Sequence, residues 1–484
     1  MTAETASDRY KWVAFAAVGS FFLTSVFALT AVFLALPAIA DDFDVTLKDV
    51  SWVVLIRSVT VSALLVPFGR LSDLVGRRRV HLAGAAFFAV GAAIGASAGS
   101  FTVLLVARVV MAVGSALAES VGTGILVSVF GDEERGKAIA AQTSSVAVGA
   151  AIGPLVAGLA LGVVSWRALF ALMAGLTVVS FAIGWRVLDE ARISRTAVER
   201  RPLDWFGSVG SAVLIVLIVV TLNNPFDLGW TSPLVLAAIA VVAVGTVAFV
   251  RWELAHTDPM MQLRLFASRA FGLGATVRIL GFMATVGVSL LLPILLVTVR
   301  GFSESEAGFV AFLSSAGLGL SAQIAGRLND RLGFRWLMVG GLAGIGLCMV
   351  AFAGLTLDTP LWVVAVLSLL TGLSWGTWNV PNNAAIISAA PPSSYGVVGA
   401  LTNLTRTLGG TFGQAVAAAI VAAVLVARGV DVPLGDLGTV DGGGDAFLAG
   451  WRVAFLALAA VAALAAILAA TIRQPPSPAP ASPP

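Results

Sequence analysis

The sequence predicts an all-α protein that crosses a membrane many times. Three observations carry this expectation. Hydrophobic residues make up 58% of the chain and charged residues 11%, with a mean hydropathy of +0.98. A water-soluble chain of 484 residues exposes more surface than so few charges can cover. The apolar residues come in continuous runs, and a run of about 18 or more with few charges can cross a ~30 Å hydrocarbon core as a helix. The basic residues, finally, gather in every second gap between the runs.

Fourteen spans are expected, near residues 12–36, 51–69, 80–99, 102–129, 137–163, 166–187, 205–223, 232–251, 270–299, 305–325, 336–357, 360–388, 396–427 and 450–472. The first follows Arg9 and Lys11 and ends near Ala38-Ile39-Ala40, which gives it the outline of a signal peptide. Its apolar stretch is too long for a signal core, so it reads as a span. With the N-terminus in the cytoplasm, 20 of the 29 Lys and Arg fall in inside segments, 5 outside and 4 within spans. Basic loops stay on the cytoplasmic side, so this bias supports both the span count and the orientation. Both termini are then cytoplasmic, and the location is the cell membrane. The Pro-, Ser- and Ala-rich stretch 474–484 reads as a disordered tail.

Composition also excludes several chemistries. The single cysteine, Cys348, rules out disulfides and cysteine-based metal sites. The two histidines, His81 and His256, fall in expected loops, and no phosphate-binding loop, HExxH or GxSxG pattern stands out. No enzyme activity, metal or cofactor is expected. The net charge of +3 and pI near 9.5 would suggest nucleic acid in a soluble chain. Here the basic residues serve topology, so the expected partners are the bilayer and a small organic solute, with the chain as a monomer.

The sequence repeats itself. Gly69-Arg70-Leu71-Ser72-Asp73-Leu74-Val75-Gly76-Arg77 returns 257 residues later as Gly326-Arg327-Leu328-Asn329-Asp330-Arg331-Leu332-Gly333-Phe334. Gly136, Gly149 and Gly153 return as Gly396, Gly409 and Gly413 at an offset of 260. Duplicated halves point to two bundles with a path between them. The repeated loops join spans 2–3 and 10–11, so the spacing divides the spans as 6+2+6. An N-terminal bundle is expected over 1–190, a cytoplasmic linker with an inserted helix pair over 191–265, and a C-terminal bundle over 266–473.

At these residues the chain resembles the major facilitator superfamily. Gly69 to Arg79 resembles its loop 2–3 signature, Arg108 with Gly114 its fourth-helix signature, and Gly149-x3-Gly153-Pro154-x3-Gly158 its fifth-helix motif. With fourteen spans the resemblance is to the EmrB/QacA-like drug:proton antiporters, helped by Leu36-Pro37, Trp52-Val53-Val54 and Arg406 to Gly413. The resemblance implies the major facilitator fold and efflux coupled to the proton gradient. The chain departs from that branch where Ala28 and Phe33 stand for an acid and an amide, Met111-Ala112 for Gln-Gly, and Arg57 for a polar residue of span 2.

The site candidates follow from chemistry and spacing. Gly69, Asp73, Gly76, Arg77 and Asp330 form a cytoplasmic turn that reads as a latch of one closed state, or simply as a topology signal. Gly149, Gly153, Pro154 and Gly158 let helices approach closely and bend, as a seal of the pathway or as ordinary packing. Charged side chains inside spans cost several kcal/mol against lipid, about 2.5–3.5 at least, and should face a cavity or a partner. Glu119 and Arg108, about 16 Å apart along one helix face, are the proton-coupling candidates. Glu119 reads equally as a structural partner of an arginine. Arg57, Arg278 and Arg406 join Trp378, Asn379 and Asn383 as substrate-cavity candidates, against snorkelling and interfacial anchoring as the plainer alternatives. The expected function is efflux of small organic molecules by alternating access. A carrier of organic anions, or a non-transporting receptor on the same scaffold, are the alternatives.

Overall fold

The structure is a computed structural model that describes residues 3–130, 134–193, 205–223, 232–255, 263–389, 395–430, 437–438 and 440–472. The proposed tail 474–484 lies outside the described residues, as do parts of the linkers. Every long element is a helix: α1 Ala3–Phe43, α2 Leu47–Val75, α3 Arg77–Ala96, α4 Phe101–Phe130, α5 Arg135–Leu161, α6 Trp166–Val187, the one-turn α7 Glu190–Ile193, α8 Trp205–Asn223 and α9 Pro233–Ala255. Then come α10 Arg269–Pro293, α11 Glu304–Leu332, α12 Phe334–Ala353, α13 Leu361–Ser388, α14 Tyr395–Ala427 and α15 Gly443–Ala470. Within the described residues, 12 of these are long and apolar enough to cross a membrane. The protein is thus an all-helical, multi-pass membrane protein. Helices α2 and α8 do not enter that count, and some of their side chains lie outside the described set.

Local chemistry sets the helix ends. Thr46 and Asp49 cap each other at the start of α2, Thr46 Oγ1 accepting from the Asp49 amide at 3.2 Å. That capping box satisfies amides that would otherwise face the interface unpaired. Gly76 breaks α2 from α3 at φ +104, and Gly333 breaks α11 from α12 at φ +73. Only glycine enters that region without a Cβ penalty, so the sequence repeat returns as a backbone repeat. After Pro293, which has no amide to donate, the helix runs on as a π-helical segment, Ile294–Val299.

The pairing of helices also repeats. In the first half α1 packs on α5 and α6, α2 on α4, and α3 on α4 and α6; in the second α10 packs on α14 and α15, α11 on α13, and α12 on α13 and α15. The halves meet along two reciprocal seams, α5 with α11 and α2 with α14. Helix α8 lies against α2, α14 and α9, and so touches both halves. Small residues make these contacts possible. A Cβ on Gly158 would sit 2.7 Å from the Glu304 carbonyl oxygen, and one on Gly308 2.6 Å from that of Pro154. In the repeat-related positions, Gly149 and Gly153 bring α5 onto Leu23, Phe27 and Thr30 of α1, and Gly409 and Gly413 bring α14 onto Ile279 and Met283 of α10.

Candidate functional site

A cavity opens between the two halves, bounded by α1, α2 and α5 on one side and α10, α11, α13 and α14 on the other. The centre of a water-sized sphere can sweep about 170 Å3 of it. The two walls differ in how their polar groups are partnered.

On the N-terminal side the polar groups close on one another. Ser25 of α1 donates to Glu119 Oε1 of α4 at 2.6 Å. Its one proton is then committed, so its oxygen accepts from Arg57 Nη2 of α2 at 2.8 Å and from the Ser115 hydroxyl at 3.2 Å. Arg57 also reaches Glu119 directly, at 3.3 Å, with side-chain exposures of 8% and 14%. This is an ion pair shielded from water, and Arg57 stands at the cavity lining while Glu119 lies behind it. Arg108 belongs to neither. It is 0% exposed, its Nε donates to the Val53 carbonyl at 2.8 Å, and both Nη atoms are buried without a partner.

On the C-terminal side the polar groups are left open. Ser368 and Trp375 of α13 and Thr411 and Gln414 of α14 line the cavity, and each holds a buried polar atom with no hydrogen-bond partner: Oγ, Nε1, Oγ1 and Oε1. Arg406 lines it too, interacts electrostatically with Glu119 and has no hydrogen bond among the described residues. The spacing 368–371–375 on α13 and 406–407–410–411–414 on α14 places each set on one helix face.

Of the residues singled out by sequence, Arg57 and Arg406 meet at the cavity, and Glu119 joins them through the ion pair. Four others do not line it. Arg278 donates from Nε to the Thr402 carbonyl at 2.9 Å and from Nη1 to Asn379 Oδ1 at 3.2 Å, and stacks over Phe282 at 5.1 Å, clasping α10, α13 and α14 together. Trp378 is 0% exposed and packs on Phe282 and on Gly281, where a Cβ would fall 2.6 Å from the indole. Asn379 and Asn383 lie off the lining as well. The cavity tryptophan is instead Trp375, three residues earlier. Ser25, Ser368, Thr411 and Gln414 were not singled out, although the 406–414 polar stripe is visible as a periodic pattern.

The turn at Gly76 holds a further unanticipated residue. The Glu190 carboxylate of α7 accepts from the backbone amides of Arg77 and Arg78, both at 3.1 Å, and so caps the N-terminus of α3. An acid there meets both free amides and the positive end of the helix dipole. The Arg77 side chain reaches the Gly124 carbonyl of α4 at 3.5 Å. Gly69 lies near Ser120, and Gly76 faces Glu190. The side chains of Asp73 and Asp330 lie outside the described set.

Two helical halves related by a repeat, two reciprocal seams and a shared central cavity define a membrane solute carrier. Residues 16–414 match the profile of the Major Facilitator Superfamily, and the chain belongs to it. It is therefore a transporter of that superfamily and not an enzyme. The chain is 27% identical over 386 residues to "Riboflavin transporter RibZ" of Clostridioides difficile, covering 79% of this chain and 82% of that one. It is 28% identical over 400 residues to "Multidrug resistance protein Stp" of Mycobacterium tuberculosis, covering 81% and 73%. To "Methyl viologen resistance protein SmvA" of Salmonella typhimurium it is 26% identical over 412 residues, covering 84% and 81%. The fold is similar to the crystal structure of a bacterial homologue of the human lysosomal transporter Spinster, with TM-score 0.69, 16% identity and coverage of 97% and 99%.

Proposed function

We propose that the protein is a proton-coupled secondary transporter that exports small organic molecules across the cell membrane by alternating access. The observation that carries this reading is the Arg57–Glu119 ion pair beside a cavity shared by the two halves. A carboxylate in that position can take up a proton only by giving up its arginine, so protonation and the arrangement of the cavity wall are linked. The fifth-helix glycines and the close α5–α11 seam supply a contact that forms or opens as one half rocks on the other. Two relatives named for resistance support the outward direction. In this reading α2 and α8 cross the membrane with the other twelve helices, giving fourteen as 6+2+6 in the EmrB/QacA-like branch. The halves then divide as 1–190 and 266–473 around the inserted pair. Both termini are cytoplasmic, the chain acts as a monomer, and no cofactor or nucleic acid takes part.

The test is reconstitution into liposomes, with solute flux measured with and without an imposed pH gradient. Gradient-dependent flux that Glu119→Gln abolishes is the expected result. Flux indifferent to the gradient removes proton coupling, and full coupling in Glu119→Gln removes Glu119 as the carrier.

A second reading, transport of an organic anion, is favoured by one observation: Arg406 lines the cavity without a hydrogen-bond partner among the described residues.

A further inference from the structure

Four residues of two adjacent helices that line this cavity, Ser368, Trp375, Thr411 and Gln414, each carry a buried polar atom without a partner, as does Arg57 at its Nε on the opposite wall. An unpaired buried polar atom costs about 1–3 kcal/mol, so they are rare, and a cluster of them just behind one cavity wall marks a surface that a small side-chain rotation opens to a ligand. Their chemistry is specific. Trp375 Nε1 can only donate, the Ser368 and Thr411 hydroxyls can donate, and Arg406 offers a guanidinium fork that is never an acceptor. Donors therefore dominate, with Gln414 Oε1 as the acceptor. Water would satisfy the hydroxyls but would bring no counter-charge to Arg406. Phe282 and Trp375, edge to face with ring centroids 6.0 Å apart, form an apolar corner beside these donors. Such a corner accepts the face or edge of a flat ring.

We infer that this C-terminal wall binds a flat aromatic acid, its anionic group on Arg406 and its ring against Trp375 and Phe282, and that a proton on Glu119 strengthens the binding. The inference rests on the cavity as the transport site and develops the organic-anion reading. It does not rest on the direction of transport.

The second clause follows from the charges around Glu119. Arg57 of α2 pairs with it, Arg406 of α14 interacts with it across the cavity, and Ser25 of α1 donates to it. His81 of α3 meets the Ala118 backbone one residue away, and Arg108 lies eleven residues back on α4 itself. Glu190 and Arg192 of α7 meet α4 towards its cytoplasmic end. Residues 138–161 of α5 include no titratable side chain. Ionised, Glu119 is the shared counter-ion of Arg57 and Arg406. Protonated, it leaves both arginines without one, and an organic anion takes its place. Proton and anion then reinforce each other, each raising the affinity for the other by the same factor. Such a pair travels together, whereas a cation would compete with the proton and be exchanged against it.

Binding to the purified full-length protein in detergent tests this without any gradient, by calorimetric titration with 2-naphthoate, 2-naphthamide and 2-naphthylmethylammonium. The expected result is that naphthoate binds about tenfold or more tighter than the amide or the cation, the scale of one charge-assisted hydrogen bond. Arg406→Gln should erase that preference and Arg406→Lys should keep part of it, which separates a lost charge from a lost fold. Glu119→Gln, which removes the negative charge as a proton would, should bind naphthoate more tightly than the wild type, as reciprocal linkage requires. Tightest binding of the cation, no binding of any of the three, naphthoate affinity that survives Arg406→Gln, or naphthoate affinity no tighter in Glu119→Gln would each overturn the inference. Because no flux is measured, failure of proton-driven export leaves these outcomes untouched. Preference for the cation would sink the inference and leave export standing.

Discussion

The two walls of the cavity are built from repeat-related halves, yet they treat polar groups in opposite ways. Around Ser25, Arg57, Ser115 and Glu119 the hydrogen-bonding groups pair with one another across three helices, and only the buried Arg57 Nε among them lacks a partner. Around Ser368, Trp375, Thr411 and Gln414, residues of the cavity lining, one polar atom each is left buried without a partner. A closed network holds its own geometry; an open one can be completed by something that enters. A duplicated scaffold can thus keep its helix packing and still divide two tasks between its halves.

The comparison can be broken by substitution, and the largest effect should come from the closed network. Glu119→Ala strands the buried Arg57 guanidinium and should lower stability by about 3 kcal/mol. A thermal or denaturant unfolding midpoint reads this, with Glu119→Gln as the variant that keeps most of the fold. An unchanged midpoint in Glu119→Ala would mean the N-terminal wall is not held by its ion pair.

Next comes the seam between the halves. Gly308→Val drives a side chain into the Pro154 carbonyl and should cost about 1–3 kcal/mol in whichever state closes α5 on α11. In a Cys348→Ala background, Ser315→Cys places a reporter thiol in the cavity, and its labelling by an impermeant reagent from the α5–α11 side should quicken in Gly308→Val. Equal labelling rates would show that this seam does not gate the cavity.

A matched pair sharpens the contrast directly. Ser25→Ala removes a hydroxyl with three partners and should destabilise by about 1–2 kcal/mol, whereas Thr411→Val removes an unpaired one and should be neutral or stabilising within about 0.5 kcal/mol. Equal losses in the two unfolding measurements would erase the distinction between the walls. The smallest effect belongs outside the cavity. Glu190→Ala removes the cap on α3 and should cost about 1 kcal/mol, and a loss no larger than that of an exposed surface alanine would dismiss the cap.

The sequence made the all-helical, multi-pass architecture legible because membrane spans are written in composition. Apolar runs and basic loops are local, and the glycine pairs at 76 and 333 carry the repeat into the backbone. The site was less legible because helix rotation decides what a buried side chain meets. Trp375 and Trp378 differ by about 60° around α13, since three residues turn a helix by about 300°. One lines the cavity and the other fills the C-terminal half. Arg278 carries the same intramembrane cost as Arg57, yet it is spent on clasping three helices. Glu119 stood out as an acid in a span, but its partner sits 62 positions away on a neighbouring helix, where no spacing rule reaches. Ser25 gave no signal beyond being polar in a long apolar helix.

Helix α8 packs on both α2 and α14, and a cluster of Ala63, Ile215, Phe271 and Leu401 ties it to each half on that flank. Among the described residues, neither α8 nor α9 packs closely against α5 or α11. Among those residues, one flank is therefore shuttered by an extra helix and the other is not. A solute already dissolved among the acyl chains would find a single sideways door, beside α5 and α11, and the shuttered flank would have to slide past α8 at every stroke of the two halves.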